Sequence, residues 1–276
     1  MKLQTIVDIQ PSEWKIGYED KILLVGSCFA DSIGEMMEQR GLQVTCNPFG
    51  TLYNPVSIAQ ALNIKHQTSN MPLIYNEGLW HSMAHHGSFS RPTREEAEQA
   101  VADSIEAMQR ALREASVVIV TFGTAWVYEM NGEVVGNCHK LPAERFTRRR
   151  LSVDEIVQTW QPILAQYPDK HWLFTVSPIR HIKDGLHENQ LSKATLLMTV
   201  EQLRVGYFPS YEIVLDELRD YRFYAEDLVH PSPVAIQYIW ERFTEVYCTP
   251  QTRNEMTIQY KRYKQTQHRP LHPYAG

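Results

Sequence analysis

No stretch of the chain approaches the roughly 20 consecutive apolar residues that a membrane-spanning helix requires. There is no basic surplus either. Lys and Arg number 27 against 32 Asp and Glu, for a net charge of −5. That balance argues against a protein that grips nucleic acid or an anionic membrane. The short run Arg148-Arg149-Arg150 lies beside acidic helical stretches and reads as a solvated face. Cysteine is scarce. Cys28, Cys46, Cys138 and Cys248 are scattered, and no two form a CxxC pair, which argues against a zinc ribbon or a thioredoxin-type motif. The first twenty residues, MKLQTIVDIQPSEWKIGYED, hold charges and a proline but no apolar h-region, unlike a signal peptide. The expectation is a soluble, reduced, cytoplasmic protein. Internal repeats and low-complexity segments are absent.

What is present is ordinary globular material: 276 residues, 43% hydrophobic and 21% charged, enough for one large α/β domain with insertions. Five short runs are apolar and rich in branched residues: KILLVG (21–26), LQVTC (42–46), SVVIVTF (116–122), HWLFTVS (171–177) and YEIVLDE (211–217). Each reads as a strand buried on both faces, as in a parallel sheet. Helical patterns follow them at 29–40, 55–65, 152–166, 188–206 and 232–247. A longer amphipathic helix, 93–115, opens on a Thr93-x-x-Glu96 capping box and leads into the third strand. Strands alternating with helices predict an α/β doubly wound sheet with right-handed crossovers. Residues 66–91 and 126–150 break the alternation. With Asn76-Glu77-Gly78 and Asn131-Gly132 they read as hairpin insertions near the functional edge. The domain is expected to span 1–248, with a polar, weakly helical tail at 249–276.

Chemistry concentrates in two places. The first is KILLVGSCFADSIGEMM (21–37), where Gly26 ends a strand and Ser27 and Cys28 stand at the start of a helix. In an open sheet of order 2-1-3-4-5, ligands bind beyond the carboxyl ends of the first and third strands, where strand order reverses. Gly26-Ser27-Cys28 and Phe122-Gly123-Thr124 both face that crevice, and the helix start offers free N–H groups. The second is Glu226-Asp227-Leu228-Val229-His230-Pro231, an Asp and a His three residues apart on a loop entering a helix. Together the two segments can supply a nucleophile, a base and the group that orients the base.

These residues carry a resemblance. GSCFA (26–30), NPFGTLYNP (47–55), TVSPIRH (175–181) and the stretch 207–231 resemble the GSCFA-domain family, which in turn resembles the SGNH/GDSL hydrolases. The resemblance implies a three-layer α/β/α flavodoxin-like fold of strand order 2-1-3-4-5. It also implies a catalytic Ser or Cys, with Asp227 and His230 as the Asp-x-x-His pair. Laying Gly26 on the glycine of Gly-Asp-Ser places Cys28 on the nucleophile, whereas a shift of one residue places Ser27 there. The superfamily's Gly-x-Asn-Asp after the third strand is here Gly123-Thr124-Ala125-Trp126, so the side chain that would donate to an oxyanion is missing. One such donor is worth about 2.7–4 kcal/mol. Candidate replacements are the backbone N–H of Gly50 and of the Ser27-Cys28 turn, and the side chains of Thr124, Asn47, Asn54 and His181. The two asparagines precede prolines, which is also ordinary turn chemistry.

The implied activity is hydrolysis of an ester, an O-acyl (acetyl) group on a carbohydrate or small molecule, with no cofactor or metal, no nucleic acid and no membrane. An O-acyltransferase would use the same centre. A non-catalytic glycan-binding or scaffolding module on the same fold is the alternative. The missing Asn favours it, and the intact Asp227/His230 pair opposes it. Other residues carry weaker signals. His81, His85 and His86 cluster without an acidic partner, a poor metal site. Arg180 at the sheet edge suits a substrate carboxylate or hydroxyl, or an ion pair with Asp184 or Glu188. Trp80, Trp126 and Tyr128 suit either sugar stacking or anchoring of the insertions. Glu217, Arg219, Asp220 and Arg222 read as ion pairs that fix the loop ahead of Asp227.

Overall fold

Parallel strands joined by helices form wherever short branched runs alternate with amphipathic ones, and the computed structural model follows that pattern over residues 4–63 and 73–267, which it describes. The first part runs β1 (Lys21–Gly26), α1 (Cys28–Glu38), β2 (Gln43–Cys46) and α2 (Pro55–Leu62). A hairpin, β3 (Leu73–Asn76) and β4 (Leu79–Ser82), precedes α3 (Arg94–Glu114) and β5 (Val117–Phe122). Three antiparallel strands come next: β6 (Trp126–Met130), β7 (Glu133–Val135) and β8 (Thr147–Arg150). The chain then forms α4 (Val153–Gln166), β9 (His171–Val176), α5 (Leu186–Leu203) and β10 (Gly206–Phe208). It closes with a single turn, α6 (Ser210–Glu212), and two helices, α7 (Pro233–Tyr247) and α8 (Pro250–Gln267).

The main sheet has the order β10-β9-β5-β1-β2, all neighbours parallel. Numbered along the chain that is 2-1-3-4-5, the flavodoxin-like order. Alternate residues enter opposite layers, as strand geometry dictates. Leu23, Val25, Val118, Val120, Phe122 and Phe174 join the core beneath α3, α4 and α5. Ile22, Leu24, Val117, Ile119 and Leu173 join the core beneath α1 and α7. Three layers result. The capping box at Thr93 and Glu96 is formed, and a second stands at Ser152 and Glu155. Both hairpin turns use left-handed residues, Glu77-Gly78 and Asn131-Gly132.

The fifth strand differs from the expectation. Residues 211–217 are helical, and the strand is the three-residue β10 just before them. Pro209 ends the strand, and the buried set Tyr211, Ile213, Val214, Glu217 and Leu218 follows a helical spacing, not an alternating one. Glu217 also differs. It is buried, and its carboxylate accepts from Val7 N, Tyr238 Oη and Arg242, fastening the N-terminal arm to α7. Part of the expected tail is the helix α8, which buries Met256 against the α1/α7 layer and sets the Tyr260 ring 4.2 Å from the Arg40 guanidinium carbon. Residues 64–72 and 268–276, which include the ends of the expected second helix, first insertion and tail, lie outside the described residues.

Gly26 ends β1 with φ 137°, and a Cβ built there would sit 2.1 Å from the carbonyl oxygen of Thr121. No side chain fits between the two strand ends. Gly26→Ala is expected to destabilise the protein by about 3 kcal/mol or more, read as a lower urea midpoint at an unchanged m-value. An unchanged midpoint would contradict this close approach.

Candidate active site

The turn after β1 separates Ser27 from Cys28. Ser27 holds the N-cap position of α1, yet its hydroxyl makes no cap bond. It is fully buried, and Oγ has no hydrogen-bond partner in the described structure. Cys28, the first helical residue, is half-buried and faces outward, with Sγ 3.7 Å from His230 Nε2. The N–H groups of Cys28 and Phe29 at the helix start point toward that sulfur. Burial pushes the Cys28 thiol up from its ordinary range, Asp31 adds to this, and the two amides oppose it.

His230 is oriented from behind. Its Nδ1–H donates to Asp227 Oδ2 at 2.6 Å, which leaves Nε2 free to accept a proton. Asp227 Oδ1 accepts from the amides of Val229, at 2.9 Å, and His230, at 3.0 Å. These two amides, then the ring, hold the Asp227 carboxyl down to about 2. Leu228 takes a left-handed φ of 56° to close this turn. Arg180 clamps the loop from the sheet edge: its N–H donates to Val229 O and its guanidinium to Leu228 O. Neither ion pair expected for Arg180 is formed. Asp184 pairs with Arg148, and Glu188 lies 3.5 Å from Arg150. Arg149 pairs with Glu129 and Glu155, so the basic run is a ladder of ion pairs, not a solvated face.

Most of the expected oxyanion donors have other duties. Gly50 N–H donates to Asn47 O, so it is not free to donate. Asn47 accepts from Gly26 N and donates to Asp31. Asn54 caps α2 through Ser57. Thr124 Oγ1 lies 3.1 Å from Ser192 Oγ and accepts from Trp126 N. Asn54 and Thr124 line the cleft, Asn47 and Gly50 do not, and all four are held in bonds that a substrate would have to break. The amides of Cys28 and Phe29 are the donors that face the sulfur.

His181 is the exception. It is mostly buried and its Nε2 has no partner among the described residues. Burial, then Lys193 and His230, push it down to about 3, so the ring is neutral at ordinary pH. It stands edge-on to Tyr53, and both line the cleft. The cleft over Cys28 and His230 measures about 530 Å³. Its far wall is the β6–β8 insertion, with Trp126 and Tyr128 under the Arg148 guanidinium at 4.5 and 5.1 Å. Lys183 donates to Tyr128 Oη across the mouth.

The three histidines of the first insertion have structural partners. His85 is buried between Ser82 and Ser104 and stacked on Phe49. His81 lies 2.7 Å from Ser90 Oγ, and His86 caps the turn at Ser88. Among the described residues no three His, Cys, Asp or Glu side chains are grouped to hold a metal.

One element of the site gave no warning in the residues read for chemistry. The first turns of α5 direct polar side chains inward: Asn189, Ser192 and Lys193, followed by Leu196 and Val200 on the same face. Asn189 accepts from His181 N, and Ser192 accepts from Ala125 N. Lys193 Nζ donates to Gly123 O and Ser177 O at 2.7 and 2.6 Å. The sequence signal was there: three polar residues, one of them cationic, on the buried stripe of a helix.

The model of the GSCFA family matches residues 21–243. No curated protein matches the chain. Among solved structures the chain is similar to an acetyl xylan esterase of the rumen bacterium Butyrivibrio proteoclasticus, at 10% identity and a TM-score of 0.41. The similarity covers 83% of this chain and 63% of that one, so the chain spans less than two thirds of the esterase's length.

Proposed function

The chain belongs to the GSCFA family, and from that premise and the geometry of the cleft we propose that it is an ester hydrolase with Cys28 as nucleophile, His230 as base and Asp227 as orienting carboxylate. The observation that carries the reading is the single line of contacts Cys28 Sγ, His230 Nε2, His230 Nδ1, Asp227 Oδ2, assembled from segments two hundred residues apart.

The steps balance as follows. Cys28 Sγ attacks the acyl carbon while its proton passes to His230 Nε2. The oxygen of the tetrahedral intermediate takes hydrogen bonds from the N–H groups of Cys28 and Phe29. The C–O bond to the alcohol breaks, and His230 returns the proton to that oxygen. Water then attacks the thioester with His230 again as base, releasing the acid and restoring the thiol. An alcohol in place of water would give acyl transfer.

The substrate class we favour is a carbohydrate carrying an O-acyl group such as acetyl. The open cleft, with Trp126 and Tyr128 on one wall and hydrogen-bonding groups around its mouth, suits a hydroxylated ring. Incubation with p-nitrophenyl acetate and with acetylated xylo- and manno-oligosaccharides should release acetate at a rate proportional to enzyme. Release no faster than in buffer would favour the glycan-binding alternative, for which the loss of the oxyanion side chain at Ala125 is the supporting observation.

A further inference from the structure

An oxyanion hole needs unspent donors, and the strand ends around Cys28 have few. Ser27 N–H donates to Thr121 O, and the N–H groups of Gly123 and Thr124 both donate to Tyr53 O. Ala125 N–H donates to Ser192 Oγ, and Trp126 N–H donates to Thr124 Oγ1. Besides the Cys28 and Phe29 amides, one side chain on the cleft wall stands out. His181 Nε2 is buried with no partner among the described residues. A buried polar atom left unpaired is costly, and a role toward a ligand is one reason to keep it.

Two contacts tie that nitrogen to the reaction centre. A Cβ built on Gly123 would lie 3.4 Å from His181 Nε2 and 3.3 Å from Ser27 Cβ, so Gly123 touches both the imidazole and the nucleophile turn. Arg180 N–H donates to Val229 O at 3.2 Å, which pairs the residue before His181 with the residue before His230. Both histidines line the cleft with Cys28. Their surroundings differ. His230 is bonded to the Asp227 carboxylate, whereas no described carboxylate hydrogen-bonds the His181 ring. Burial holds that ring at about 3, so it is neutral at ordinary pH. Two imidazoles whose environments are pushed apart can divide the work. One moves the proton, and the other donates a hydrogen bond.

We propose that His181 is a catalytic residue whose Nε2–H donates to the developing oxyanion, in place of the side chain missing at Ala125. This rests on the reading of Cys28 as the nucleophile. Nε2 lies beneath the cleft surface, so the ring must turn about its Cβ–Cγ bond to meet the acyl oxygen. Catalytic hydrogen bonds often tighten only once substrate is in place. Asn189 Oδ1 holds the main-chain N–H of His181 at 2.9 Å, which leaves the ring as the moving part.

The test uses trifluoroacetone. Its carbonyl carbon bonds to Cys28 Sγ while the thiol proton passes to His230 Nε2 and the carbonyl oxygen becomes the oxyanion. The ¹⁹F resonance reads its dissociation constant in the wild type, His181→Leu and His181→Gln. His181→Leu should bind it at least about tenfold more weakly, and should lower kcat for p-nitrophenyl acetate about 100-fold at a nearly unchanged KM. His181→Gln, whose amide can donate, should recover much of both. A Leu variant that binds as tightly as the wild type, or a Gln variant as weak as the Leu variant, would overturn the proposal. Alkylation of Cys28 by iodoacetamide forms no oxyanion, so its rate should be equal in all three, and a parallel drop would make the role structural. Should neither variant fold, the wild type still decides. The ¹⁵Nε2 resonance of His181 should shift when the adduct forms, and an unmoved resonance or the lack of any adduct would overturn the proposal equally. An adduct weakened in His181→Leu without ester turnover would sink the hydrolase reading and leave the His181 assignment standing.

Discussion

Cys28→Ala should lower kcat/KM for p-nitrophenyl acetate by about 10³-fold or more, to the level of the remaining binding groups, while Ser27→Ala keeps most of the activity. The two side chains are adjacent in sequence and opposite in fate. Cys28 Sγ lies 3.7 Å from an imidazole nitrogen, whereas the Ser27 hydroxyl is buried and unpartnered among the described residues. Removing an unpartnered buried hydroxyl forfeits no hydrogen bond, so Ser27→Ala should leave the melting temperature unchanged or raise it slightly. No cap is lost either, because Ser27 Oγ does not accept from the first turn of α1. Loss of activity in Ser27→Ala with retention in Cys28→Ala would reverse the assignment.

The second large effect is expected at the base. His230→Ala removes the proton acceptor, and Asp227→Asn should cost about 10⁴-fold in kcat by a subtler route. The Asn carbonyl can still accept from Val229 N and His230 N. Its amide then faces His230 Nδ1, which must accept instead of donate. The ring proton moves to Nε2, aimed at Cys28, and the base is occupied. Folding should be nearly unaffected, which circular dichroism would check. The pH dependence has a definite sign. Asp227 is held at about 2 in the fold, below its unfolded value, so its stabilisation is present above the unfolded value and lost only as pH falls through about 2. An acid limb of the rate above about pH 4 thus belongs to another group. Equal kcat in wild type and Asp227→Asn would remove Asp227 from the account.

Much of this was legible before any coordinates. β1, its Gly26 break and the start of α1 follow from a local pattern, and so does the Asp227/His230 loop. Their meeting follows from where an open sheet of this order gathers its loops. What sequence left undecided was the choice between Ser27 and Cys28. That depends on a rotation of one residue about the helix start, and the turn at Gly26 buries Ser27 and leaves Cys28 beside His230. YEIVLDE is rich enough in branched residues to mimic a strand, while Pro209 and the spacing of its buried positions select a helical turn. Gly50 and the two asparagines have the chemistry of oxyanion donors, but Gly50 and Asn54 are bonded within their own turns, and Asn47 is bonded to Gly26 and Asp31 of another segment. Lys193 is marked in the sequence only by its place with Asn189 and Ser192 on the buried stripe of α5. Its partners, Gly123 and Ser177, arrive from two other strands.

The most direct measurement is rapid acid quench of the enzyme mixed with p-nitrophenyl acetate, followed by peptide mapping. The account predicts one acetyl group per chain, as a thioester on the peptide containing Cys28, accumulating in a burst in the wild type and missing in His230→Ala. An acetyl group found on Ser27, or a burst of p-nitrophenol with no acetyl on this turn, would contradict it.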